Sequence, residues 1–140
     1  MVAVFDWLRN RRAKPPDPLS GAPPRRRLKT FSAASGYVFQ YFYEGRRACA
    51  NGLEYIFSFS ADGKSWNHAS VILDEGVLPP DLRANQRYAV AKMSLFRAFD
   101  EHDGPQAALL EIRPAAADVV AILEELDLAD GSGSPPPPVQ

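Results

Sequence analysis

The chain has 140 residues, 46% of them hydrophobic and 11% aromatic, enough for one domain with a packed core and too few for two. The lone cysteine, Cys49, excludes an internal disulfide framework and points to a reducing, cytoplasmic compartment, and no apolar run approaches the 18 residues of a membrane span. The net charge of −1 conceals two opposed parts: residues 1–29 carry eight basic and two acidic side chains, and residues 30–140 carry eight basic and fifteen acidic ones. A basic arm on an acidic body suits a polyanion, a membrane surface or the arm's own domain as partner.

Residues 1–30 read as a flexible arm. Phe5, Trp7 and Leu8 supply a short apolar segment, and Pro15, Pro16, Pro18, Pro23 and Pro24 keep the rest of the arm extended. The apolar start precedes its charges and has no small-residue cleavage site after it, which is the wrong order for a secretory signal. Residues 130–140, rich in Gly, Ser and Pro, read as a second unfolded tail. Residues 31–129 are left as a single domain.

Within that domain, residues 37–43 are aromatic and β-prone, with Tyr37, Phe39, Tyr41 and Tyr43 on one face. Residues 44–52, bounded by glycines, read as a loop. Leu53, Tyr55, Phe57 and Phe59 alternate with Glu54, Ile56, Ser58 and Ser60, the pattern of a strand with one apolar face. Asp62-Gly63 signals a hairpin, and residues 66–73 return as a third strand. A long helix is predicted over 80–102, stopped by Gly104-Pro105. A fourth strand comes next, over 107–113. A second helix opens at Pro114 and carries Val119, Ile122, Leu123 and Leu126 as its apolar stripe. The expected fold is α+β in the order β-β-β-α-β-α, a four-stranded, mainly antiparallel sheet with two helices packed on one face.

Chemistry-bearing residues are sparse. On the long helix the apolar residues fill an arc of about 220° at about 100° per residue, wider than one sheet contact needs, and Lys92 falls near its middle. An ammonium there must reach solvent, pair with Glu54 or Glu111, or lose charge. The opposite arc, which also holds Val90 and Ser94, is made basic in its first half by Arg83 and Arg87. Cys49 comes after Arg46 and Arg47, which would favour a thiolate, but a nucleophile also needs a base, and His68 could serve only if the fold brought it near. Asp100, His102 and Asp103 match no metal-ligand spacing. No catalytic residue, metal or cofactor is assigned.

The leading expectation is a non-enzymatic binding or adaptor module for a protein partner, with Trp7 as a docking anchor and Arg25, Arg26, Arg27, Arg46, Arg47, Arg83, Arg87 and Lys92 as candidate contacts. The alternative is a nucleic-acid-binding protein that sets residues 1–29 on phosphates and the strand aromatics on bases. Phe5, Trp7 and Leu8 beside basic residues also suit weak contact with an anionic membrane surface. A small enzyme built on Lys92 or Cys49 ranks third.

Overall fold

The computed structural model describes residues 18–101 and 111–130. Five strands form one sheet in the order β1-β2-β3-β4-β5: β1 (Lys29–Ser32), β2 (Val38–Cys49), β3 (Gly52–Ser60), β4 (Asn67–Asp74) and β5 (Glu111–Ile112). The first four pair antiparallel, and β5 pairs parallel with β4. Helix α1 (Ala84–Glu101) lies between β4 and β5 in the chain, and α2 (Ala116–Asp130) comes after β5. The expected class is correct, and the strand count rises from four to five.

The extra strand is β1. Its sequence, Lys-Thr-Phe-Ser, has a single apolar residue and so no alternation to read. Phe31 nevertheless holds it in place by stacking on Phe96 of α1, with ring centroids 4.3 Å apart and 10° between planes. The loop expected over 44–52 is also corrected. β2 runs on to Cys49, and only Ala50 and Asn51 connect it to β3. A β-bulge accounts for the misreading: Tyr43 opposes Phe57 and Gly45 opposes Ile56, so Glu44 is one residue too many. The bulge breaks the period of two, and Glu44-Gly45-Arg46-Arg47 then looks like a loop. The strand expected over 107–113 is seen as Glu111–Ile112, with residues 107–110 outside the described part.

Cross-strand partners share a face, so the register assigns the core directly. Phe39, Tyr41, Tyr55, Phe57, Phe59, Ala69, Val71 and Leu73 line one face of the sheet, and Val90, Ala91, Leu95 and Phe99 of α1 with Val119 and Ile122 of α2 cover it. Both helices therefore pack on one face, as the apolar stripes require. Of the strand aromatics expected to stack nucleic-acid bases, Phe39, Tyr41, Tyr55, Phe57 and Phe59 are buried and Tyr37 and Tyr43 are half-buried. Helix α1 begins later than Pro80, at Ala84, where the Gln86 side chain accepts the Arg83 backbone N–H at 2.9 Å. At the start of α2 Asp118 accepts the Ala115 N–H at 2.9 Å, which satisfies a donor the helix cannot.

The opposite face of the sheet has no helix over it among the described residues, yet Ile56, Ser58 and Ile72 are buried there. Long polar side chains shield them. Glu44 accepts from Ser58 at 2.6 Å and from Arg26 at 3.0 Å, and Glu54 accepts from Arg47 at 2.8 Å and from Ser70 at 2.7 Å. No described helix is long and apolar enough to cross a membrane.

Candidate functional site

Residues 18–28, read from sequence as part of the arm, run back along the outer edge of β2. Ser20 and Arg46 exchange both backbone hydrogen bonds at 2.8 Å, and further on Lys29 is paired with Tyr41. Residues 21–28 thus stand opposite residues 42–45, eight against four, and the surplus chain bows away from the sheet. Beneath the bow lies a cavity of about 180 Å³ lined by Gly21, Pro23, Arg27, Lys29, Tyr41, Phe42, Tyr43 and Tyr88.

Two glycines let residues 18–28, a strap along the sheet edge, approach so closely. Gly45 has φ +134°, and a Cβ on it would lie 2.9 Å from the Ser20 carbonyl oxygen. Gly21 has φ +74° and lies against the Arg46 guanidinium, where a Cβ would collide with Nη1. Side chains are disfavoured at both positions by backbone conformation as well as by space.

The lining is rich in donors and cations. Burial pushes the hydroxyls of Tyr41, Tyr43 and Tyr88 above their ordinary pKa, so they stay protonated at neutral pH. The nearby Arg46 guanidinium partly offsets this at Tyr43 but stays outside hydrogen-bond geometry, leaving the buried Tyr43 Oη with no partner among the described residues. Lys92 stands beside Tyr88, its Nζ 5.7 Å from the ring centroid. Burial first, and then the charge of Lys29, pull its pKa below the usual lysine value. Its expected partners are engaged elsewhere, Glu54 with Arg47 and Glu111 with Arg113. Among the described residues no carboxylate lies within ion-pair distance of Lys92, Lys29 or Arg27.

The placement of Lys92 also differs from expectation. The buried residues of α1 are Val90, Ala91, Ser94, Leu95 and Phe99, an arc of about 180°. Lys92 comes just beyond Phe99 at one edge of that arc, which turns its side chain toward β1 and β2 rather than into the core.

The other candidate residues separate into distinct groups. Arg26 lies on the helix-free face, 5.0 Å from the Phe42 ring centroid and paired with Glu44. Arg47 is committed to Glu54 on the same face. Arg87 bonds Glu75 at 2.8 Å near the start of α1, Arg83 is exposed there, and Arg25 is exposed on the strap. Trp7 lies outside the described residues. Cys49 ends β2 opposite Gly52, whereas His68 pairs with Ser58. Six residues of β3, about 20 Å, separate those two positions, so the fold brings no histidine base to the thiol. Asp100 accepts the Ala34 backbone N–H at 2.7 Å, and His102 and Asp103 lie outside the described residues.

Of the residues expected from sequence, Arg27 lines the cavity together with Lys29, Tyr41, Tyr43 and Tyr88, which were not among them, while Arg46 lies against Gly21 and Lys92 beside Tyr88. One signal was available: a Glu-Gly pair between two β-prone stretches marks a bulge as readily as a loop.

The ion pair next to the strap carries a testable pH dependence. Burial alone would raise the Glu54 pKa, but bonds from Arg47 and Ser70 outweigh it, and the net shift is downward from 4.5. A depressed carboxylate stabilises the fold above its unfolded pKa, and that contribution is lost as pH falls through the folded value. Urea midpoints measured from pH 7 to pH 3 should fall more steeply for the native chain than for Glu54→Gln. Parallel curves would remove Glu54 from the acid sensitivity of the fold.

No protein-family model, curated protein or solved structure matches the chain.

Proposed function

We propose that the chain is a non-enzymatic binding module for a protein partner, and that it docks an acidic segment of that partner at the outer edge of β2. The observation that carries this reading is the cavity under residues 21–28, lined by Lys29 and Arg27 with Lys92 beside its Tyr88 wall, and with no described carboxylate within ion-pair distance of the three. Cations held near one another cost free energy until an anion arrives, so the site favours an acidic occupant. The lone Cys49 supports a cytoplasmic setting for this encounter.

Arg25 and Arg27 are exposed on the strap and Lys29 at the start of β1, so nucleic acid is the reading to be tested against. Full-length chain and the variant Arg27→Glu/Lys29→Glu/Lys92→Glu are immobilised and exposed to native lysate, with and without nuclease. A protein retained by the native chain through nuclease treatment and lost from the variant is the expected result. Recovery of nucleic acid alone, or a protein retained equally by both, would overturn the reading.

A further inference from the structure

Three features of the edge cavity narrow its ligand beyond acidity. First, the cations come from different elements: Lys29 of β1 and Arg27 of the strap line the cavity, and Lys92 of α1 stands beside its Tyr88 wall. A carboxylate offers one charge to such a set. A phosphate monoester offers close to two at neutral pH, with three strong acceptor oxygens. Second, the hydroxyl of Tyr43, a residue lining the cavity, is buried with no hydrogen-bond partner among the described residues. A buried hydroxyl without a partner is costly, and a phosphoryl oxygen in the cavity that Tyr43 lines would supply an acceptor. Third, the walls beside these donors are aromatic. Tyr41, Tyr43 and Tyr88 surround about 180 Å³, with Tyr43 and Tyr88 edge to face at 4.9 Å. A stem with a π-face packs on such walls better than a short polar one.

We infer that the edge cavity is a receptor for a phosphate monoester carried on an aromatic ring, with Lys29, Lys92 and Arg27 meeting the phosphoryl group, Tyr43 donating to it and Tyr41 and Tyr88 holding the ring. The inference rests on the binding-module reading and specifies its ligand: the acidic segment of the protein partner presents a phosphorylated aromatic side chain.

The test is isothermal titration of the full chain with phenyl phosphate, with inorganic phosphate, benzoate and O-phosphoserine as comparators. Phenyl phosphate is expected to bind at least tenfold more tightly than any comparator. Lys92→Met should weaken it about tenfold, and Tyr43→Phe severalfold, both at unchanged thermal midpoint. Lys29→Met is the second lysine probe if Lys92→Met alters the fold. A phosphotyrosine peptide binding more tightly than phenyl phosphate identifies a protein segment as the source, and a peptide weaker than phenyl phosphate would overturn that source. Equal affinity for benzoate, or phenyl phosphate binding indifferent to both lysine variants, would overturn the phosphate assignment. In those cases retention of the lysate protein by the native chain but not by the triple variant leaves the binding-module reading standing, so the two failures are separable.

Discussion

Phe99→Ala is expected to leave a domain within about 2 kcal/mol of unfolding at room temperature. Phe99 is fully buried in the last turns of α1, stacked on Phe39 of β2 at 4.0 Å and 7°, with Phe31 of β1 at 5.9 Å and Phe59 of β3 at 5.7 Å. One ring thus joins three strands to the helix. Removing a buried Phe costs about 3–5 kcal/mol, because the lost transfer energy is compounded by a cavity that rigid neighbours cannot close. A small domain holds about 5–15 kcal/mol in total, and a core this size belongs toward the lower end.

The same position anchors the β1–β2 connection: the Phe99 carbonyl accepts from Ser35 Oγ at 3.0 Å, and Asp100 accepts the Ala34 N–H. Loss of the ring should therefore loosen β1 before β3 and β4. Urea unfolding monitored by intrinsic fluorescence measures the effect, with Phe99→Leu as the control that keeps most of the volume and should cost less than about 1.5 kcal/mol. A Phe99→Ala midpoint close to that of the native chain would mean that the aromatic stack is not the centre of the core.

How legible each element was depends on how it meets its neighbours. Apart from Ile56, β3 alternates, because its inward residues face the helices and its outward Ser58 and Glu54 bond Glu44, Arg47 and Ser70. β2 alternates only as far as Tyr43. Beyond the bulge its parity reverses, and Arg46 and Ala48 take the side that Tyr41 held, so no fixed period describes the strand. β1 is kept in the sheet by its ladder with β2 and by Phe31 against Phe96 and Phe99, contacts made across the chain that local pattern cannot report. On α1, helical periodicity groups Val90 and Ser94 with the polar arc, but Ser94 bonds back to the Val90 carbonyl at 2.8 Å and both are buried. That turns the buried face by roughly a quarter of a turn and carries Lys92 from the expected middle to the edge. The cavity was the least legible feature. Its lining comes from four separate segments, and only the strap's return along β2 gathers them.

Gly45 is one of the two glycines that admit the strap, and Gly45→Ala should show its part in the strap's return. At φ +134° an L side chain is strained whatever the space, and here the added methyl would also press on the Ser20 carbonyl oxygen at 2.9 Å and on Leu19 Cβ at 3.1 Å. The conformational part costs about 1–3 kcal/mol. Relief comes most cheaply by releasing the strap, because it is held by the paired backbone bonds of Ser20 and Arg46 and by Arg26 on Glu44 and Phe42, whereas β2 is fixed by its whole ladder with β3. The variant is therefore expected to keep the core and lose the roof of the cavity. Amide exchange at Ser20 should rise at least tenfold, the protection of the β3 amides should change little, and phenyl phosphate should bind several times more weakly because Arg27 is no longer held over the tyrosines. Uniform loss of protection across β3 and β4 would mean instead that the bulge is part of the folding core. Faster exchange at Ser20 with unchanged phenyl phosphate affinity would take the strap out of the binding site and leave Lys29, Lys92 and Tyr43 to hold the anion alone.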